Sequence, residues 1–506
     1  MRAGHTSMDS PLLLNKDKIM FYYRLLTSLI LISLLWMVYP AAHAQDGDQL
    51  SLAMQPEFQA DIAAFPDIPQ ITIVASLNIT DQQASIAGNM QVLYTNLSPD
   101  PLSEIVFRLY PNYPSYGGQA AVSNILVNGT TVTPEIDPTA SIVSIPLPTP
   151  LLPSEQTMVT MDFTSTVFAE QTVLYAQYSY LGGNLALPNF FPLLSVYKTG
   201  TGWWRNVAHP QGDAVYSATA NFDVTLTAPA KWILIASGTR IENTENADQT
   251  RTHHYVAPLM RDFALMASTQ YETVSGEQDG IAIDVHYFSG GDEAANTALR
   301  FAEDAVRIFN AHFGEYPFAE LDVVETRTVA GGIEYPGLVV VQSESWNTQD
   351  LYLEIVTVHE VAHQWWYSLV GNDQTRDPWL DESLAQYSTT LYFGEVYGPD
   401  FQQGFFDSYS DSWQNFSAEN GDKVIGLAPS DYEGGAYFSF VYAKGPLFFK
   451  FLADTYGQAA LIQGLSAYFA GYRYQIATPT DLQTVLEASL GQELDKWFLE
   501  WVGQSN

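Results

Sequence analysis

The sequence predicts an α+β protein in which an antiparallel all-β domain precedes a domain of small mixed sheet and helices. Two observations carry this. From about residue 69 to 273, apolar and polar residues alternate in short runs separated by turn residues, the period-two pattern of half-buried strands. From about 274 the period changes, and short apolar runs give way to long stretches with helical spacing. At 506 residues and 47% hydrophobic composition, the chain exceeds one typical domain and can bury a large core.

The N-terminal residues read as a targeting signal over 1–44: Lys16, Lys18 and Arg24, then the apolar run Leu25–Val38, then Ala42-His43-Ala44 before Gln45. The run is shorter than the roughly 20 residues a membrane helix needs, so the expectation is cleavage and an extracytoplasmic, secreted protein with no stable membrane span; an uncleaved anchor is the alternative. Residues 45–68, with Pro56 and Pro66, read as a linker or leader. The N-terminal β domain spans 69–273, with strands expected in ITIVASLNIT, ASIAGNMQVLYTN, EIVFRLYPN, TMVTMDFTSTV, ATANFDVTLTAP and KWILIASGTR. Trp203-Trp204-Arg205 reads as a packed turn.

In the second domain, 274–506, IAIDVHYF, ELDVVETR and GLVVVQS read as strands, with an amphipathic helix over Glu293–Phe313 between the first two. Leu351 to Leu369 is mostly apolar and uninterrupted until Gly371, which predicts a helix. Asp377 and Pro378 read as the start of a second helix from Trp379 to about Tyr397. Further helices are expected over Phe440–Tyr456 and Gln483–Leu490.

The first helix carries His359, Glu360 and His363 in VTVHEVAHQWW, and the second carries Glu382 in PWLDESLA. Two histidines four positions apart on a helix differ by about 40° of rotation, so both imidazoles point the same way. They can take two corners of a tetrahedral zinc site, Glu382 a third, and water the fourth. Glu360 then lies beside the metal, placed to take a proton from that water. An HExxH run alone is weak evidence, because an apolar helical histidine is more often a core residue; the carboxylate at a workable position strengthens it.

With eighteen residues between His363 and Glu382, this pattern resembles the gluzincin metallo-aminopeptidases, the family of membrane alanyl aminopeptidase and leukotriene hydrolase type. Gly331-Gly332-Ile333-Glu334-Tyr335-Pro336-Gly337 is similar to the family's G-x-M-E-N signature, and Val441-Tyr442-Ala443-Lys444-Gly445-Pro446 to its Tyr-x-Lys-Gly segment. The resemblance implies a saddle-like N-terminal β domain, a thermolysin-like catalytic domain over 274–506, and one zinc ion per chain. It implies that His359, His363 and Glu382 hold the metal and that Glu360 is the general base. Glu334 would bind the substrate's α-amino group, Tyr442 would stabilise the oxyanion, and the Gly331–Gly332 backbone would line an extended peptide. Substrates would be peptides with a free N-terminus. Lys444 reads as structural. Asp381 is either an acceptor orienting a metal-bound histidine or a solvated acid at a helix start.

The pattern departs from the family in places. Asp381 and Ser383 flank the third ligand, Ile333 and Tyr335 replace methionine and asparagine, and no clear N-terminal-domain Glu or Gln for the amine is found near Leu185–Tyr197. The sequence reads as a short form without the family's C-terminal helical domain. Cysteine is absent and formal net charge is −36, so no disulfide stabilises the fold and a nucleic-acid partner is disfavoured. Two other functions share these residues: an endopeptidase of the same type, and a non-catalytic peptide-binding module.

Overall fold

The alternating run at Ile71 forms strand β1 (Gln70–Ile79), which buries Ile71, Ile73, Ala75 and Leu77 and turns Val74, Ser76 and Asn78 outward. It belongs to an eight-stranded sheet with β2 (Gln83–Thr95), β3 (Gln119–Val127), β4 (Thr130–Thr131), β5 (Gln156–Phe168), β6 (Ala220–Pro229), β7 (Thr239–Glu245) and β8 (Thr250–Met260), in the order β7-β8-β6-β1-β2-β5-β3-β4. The pairings are antiparallel except one: β1 and β6 run parallel, which the long intervening chain permits. Two four-stranded sheets complete the β region, one of Leu102–Arg108, Glu135–Ile136, Ile142–Leu151 and Leu193–Leu194, the other of Ser179–Leu181, Asn184–Ala186, Ile233–Ala236 and Leu265–Ser268. Phe190, Phe191, Phe222 and Phe263 meet in the core between them, with ring centroids 5.3 to 6.3 Å apart. Trp203 and Trp204 are buried, and Arg108 stacks on Trp204 at 4.4 Å. Trp203 lies on a two-residue strand, Gly202–Trp203, paired with Tyr197–Lys198, rather than in the turn itself.

The computed structural model of the chain describes residues 47–347 and 351–503. The expected signal over 1–44 lies outside them. Among the described residues, no helix is long and apolar enough to cross a membrane. The stretch read as a linker forms short helical turns from Gly47 to Ala64. It docks on the second domain: Gln55 N–H donates to the Pro317 carbonyl at 2.9 Å, and Asp61 pairs with Arg473 at 2.7 Å.

The second domain opens with β9 (Tyr271–Gln278) and β10 (Ile281–Phe288), continues through α1 (Asp292–Phe313) to β11 (Glu320–Thr326), and closes its sheet with β12 (Gly332–Ile333) and β13 (Leu338–Gln342). The order is β9-β10-β11-β13-β12, so β12 is an edge strand. Helix α1 buries Ala295, Ala298, Leu299, Ala302, Val306 and Phe309 at helical spacing.

Helix α2 spans Leu351–Ala362 and packs on β12 and β13. It ends well before the predicted Leu369. The helical ladder breaks directly after Ala362, where the amides of Gln364 and Trp365 bond carbonyls three residues back, Val361 and Ala362, at 3.0 Å each, and the Trp366 carbonyl accepts from His363 Nδ1 at 3.0 Å. Residues 363–369 turn instead, with Tyr367 at φ 128°, and Val370–Gly371 pairs with Gln475–Ile476. Helix α3 runs Trp379–Tyr397, followed by α4 (Pro399–Asn420), a π-helical turn Phe438–Lys444, α5 (Gly445–Tyr456), α6 (Gln458–Tyr472) and α7 (Pro479–Leu490). Helix α7 begins four residues earlier than the periodicity predicts, because Thr478 and Asp481 form a capping box. Trp379 packs against Phe448, Phe449 and Phe498, fixing α3 against α5 and the C-terminal turn.

Candidate metal centre and substrate cleft

Helices α2 and α3 meet where His359, His363 and Glu382 converge. The two Nε2 atoms are 3.1 Å apart, and Glu382 Oε2 lies 3.3 Å from each. A tetrahedral ion with ligand bonds of about 2.0–2.1 Å requires ligand separations of about 3.3 Å. The triangle therefore fits zinc. Glu382 Oε2 is buried without a hydrogen-bond partner among the described residues, which a cation at the centre would correct. His363 donates its Nδ1–H to the Trp366 carbonyl, so its Nε2 lone pair faces inward.

The electrostatics agree. Burial opposes ionisation of Glu382, yet His359 and His363, each 3.3 Å from its Oε2, hold its carboxyl below the ordinary range. Burial lowers His359. At His363 burial has the same sense, but Glu382, Glu334 and Glu360 outweigh it and raise the imidazole well above its usual value. The centre attracts positive charge, whether a proton or a metal.

Around this centre lies a cavity of about 310 Å³ lined by Gly331, Gly332, Glu334, Glu360 and Tyr442 together with the three converging residues. Glu360 is 5% exposed; burial, then the charges of Glu334 and Glu382, raise its carboxyl well above the usual range against the lowering influence of His363. Burial raises Glu334 as well. Gln374 Nε2 donates to Glu334 Oε1 at 2.9 Å and to Asp381 Oδ2 at 2.8 Å, fixing both carboxylates with one amide.

Asp381 is fully buried rather than solvated. Trp366, not Asp381, receives the His363 Nδ1–H; the Asp381 carboxylate accepts from Gln374 and from the Glu382 amide. Burial and the charge of Glu382 push it up to about 8.

Tyr442 sits on the π-helical turn, and its hydroxyl donates to Glu382 Oε1. Burial and Glu382 raise this phenol well above 10, so it remains a donor. Ser383 Oγ donates to the Val441 carbonyl at 2.7 Å, tying α3 to that turn. Lys444 does anchor the turn: it is buried, donates to Asp422 Oδ1 and Oδ2 at 2.9 and 2.8 Å, and faces Trp413, Phe440 and Trp501.

The backbone reading needs one correction. Gly331 N–H is already bonded to Gln342 Oε1 at 3.1 Å, and its carbonyl accepts from Gln342 N–H at 2.8 Å. The open edge facing the cavity is that of Gly332–Ile333, where β12 pairs with β13 on one side only.

The segment Leu185–Tyr197 of the N-terminal domain contributes no residue to the cavity lining. Leu185, Leu187, Phe190 and Phe191 are core. Tyr175, Gln177 and Asp213 from that domain line the cavity instead. They stand in irregular segments without periodicity, and no local pattern marks them. Tyr437 and Phe438, also in the lining, precede the Tyr-x-Lys-Gly segment on the same aromatic turn.

Comparison with known proteins gives a consistent picture. Residues 297–501 match the Peptidase family M1 domain. The chain is 23% identical to aminopeptidase M1-B of Oryza sativa subsp. japonica, over 70% of this chain and 41% of that protein. It is 24% identical to aminopeptidase N of Streptomyces lividans, over 56% of this chain and 35% of that one. Thus it spans less than half the length of these curated relatives. Among solved structures, the M1 zinc metallopeptidase of Deinococcus radiodurans superposes with a TM-score of 0.62 at 20% identity, covering 87% of this chain and 94% of that one. The two-domain fold is shared.

Proposed function

We propose that this chain, whose residues 297–501 match the Peptidase family M1 domain, is a zinc-dependent aminopeptidase removing N-terminal residues from peptides. One observation carries the reading: the closed triangle of His359, His363 and Glu382 shares a cavity with Glu360, Glu334 and Tyr442. Bound at the triangle, zinc would supply the Lewis acidity that polarises a peptide carbonyl and acidifies water. The other parts belong to the chain.

Glu360 takes a proton from the attacking water and passes it to the nitrogen of the departing peptide as the C–N bond breaks. Its raised affinity for protons suits that relay. Glu334, held by Gln374, receives the substrate's α-ammonium; a blocked amine would leave this buried carboxylate unpaired. Gln177 and Asp213 add polar groups to the same wall. Tyr442 turns its hydroxyl from Glu382 Oε1 to the developing oxyanion. The free edge of Gly332–Ile333 aligns the substrate backbone. The N-terminal apolar stretch makes export part of the proposal, with Gln45 as the mature first residue.

The test compares hydrolysis of an amino-acid anilide with that of its N-acetylated form, with and without chelator. Selective, chelator-sensitive cleavage of the free amine is expected. Equal cleavage of both would replace the reading with an endopeptidase, and no metal-dependent turnover would replace it with a binding module.

A further inference from the structure

A second group of metal-ligating side chains lies on the sheet of the second domain, away from the cleft. Strands β10 and β11 are parallel neighbours with Asp284 directly beside Asp322. Because side chains alternate faces, His286 and Glu320 share that face. Donor atoms of Asp284, His286 and Asp322 lie within 4.8 Å of one another. With Glu320 they line a cavity of about 200 Å³, closed on the far side by Leu234, Ile235, Ala236, Arg240 and Tyr255 of the β domain.

Two like charges directly opposite on adjacent strands are unfavourable, and here a third carboxylate joins them. Among the described residues, no lysine or arginine makes an ion pair within 4.0 Å with any of the three; the ion-pair contact is His286 Nε2 to Asp322 Oδ1 at 3.1 Å. Arg240 influences Glu320, Asp322 and Tyr255 by its charge. Asp322 is 3% exposed. Thr273 Oγ1 lies 2.9 Å from His286 Nδ1, fixing the ring with Nε2 turned towards the carboxylates.

We propose that Asp284, His286 and Asp322, supported by Glu320, bind a second divalent cation at the junction of the two domains. One imidazole nitrogen among carboxylate oxygens suits Zn²⁺ or Mn²⁺ better than an all-oxygen ion such as Ca²⁺. The ion would neutralise the facing aspartates and join β10 and β11 to the β domain beneath Arg240. It takes no part in peptide cleavage, and the proposal stands independently of the aminopeptidase reading.

The test is metal stoichiometry on the full chain. Chelator-stripped protein is dialysed against Zn²⁺, and separately Mn²⁺, then washed and measured by plasma mass spectrometry. With zinc the wild type should hold two equivalents, and folded His286→Ala one. A His359→Ala/His363→Ala variant, which leaves the second cluster untouched, should still hold one equivalent and show a cation-dependent rise in Tm. If the wild type holds no more zinc than His286→Ala, or the double variant holds none, the proposal is overturned and the cluster is a hydrogen-bonded His–Asp pair. Should His286→Ala fail to fold, the double variant alone decides.

Discussion

Glycine 332 is the most informative single position in the cleft. A methyl group added there would lie 2.5 Å from both Cγ and Cδ of Glu360, where ordinary contact is 3.4–4 Å. The backbone at Gly332 is extended on the edge of the sheet and accepts alanine without strain. Glu360 must therefore retreat, by about 1 Å to restore contact distance. A misplacement of about 1 Å at a reacting group costs on the order of 100-fold in rate. We predict that Gly332→Ala lowers kcat for a free-amine anilide about 100-fold, while zinc content, thermal stability and the protein's circular dichroism stay close to wild type. The assay is steady-state hydrolysis with metal quantified on the same sample. A variant with full zinc and kcat within about threefold of wild type would refute the placement of Glu360 as the base beside β12.

Other outcomes follow from the same geometry. Tyr442→Phe removes one donor to the oxyanion, and kcat should fall by roughly 10²–10³ with little change in bound zinc; a loss of zinc instead would assign the hydroxyl to holding Glu382. Lys444→Met strips a buried cation from Asp422 and its aromatic cage, and should destabilise the fold by about 2 kcal/mol, measured by urea unfolding. His253 is 3% exposed, both ring nitrogens lack partners, and burial, aided by Arg240 and Arg251, lowers its pKa to about 4. The unfolded chain takes that proton near pH 6.5 and the folded one does not. Stability should therefore fall as pH drops from 6.5 towards 4, and Tm of His253→Phe should fall less over that window; parallel curves would exclude this origin.

Much of this was legible in the sequence, for identifiable reasons. Burial alternates along β1 as it does in the text of the chain, and α1 shows its apolar face at helical spacing, because both are local consequences of one-sided burial. His359, Glu360, His363 and Glu382 could be read together because one helix and one helix start fix their directions. What escaped depends on tertiary contacts. The end of α2 at Ala362 goes with the amides of Gln364 and Trp365 bonding three residues back, which apolar spacing does not register. Asp381 read equally as an acceptor for a metal-bound histidine or as a solvated acid at a helix start, and the packing of Gln374 between it and Glu334 is a contact that no local pattern shows. Gln177 and Asp213 reach the cleft from irregular segments of another domain. The parallel pairing of β1 and β6 joins segments about 150 positions apart, beyond any local pattern.

If His359, His363 and Glu382 share one ion on which hydrolysis depends, titration of chelator-stripped protein with zinc will show it, following hydrolysis of a free-amine peptide and metal content together in wild type and Glu382→Gln. Recovery of activity in step with the first zinc equivalent, and none in the variant at the same free zinc, is the predicted result. Hydrolysis by the stripped protein, or equal recovery in Glu382→Gln, would contradict it.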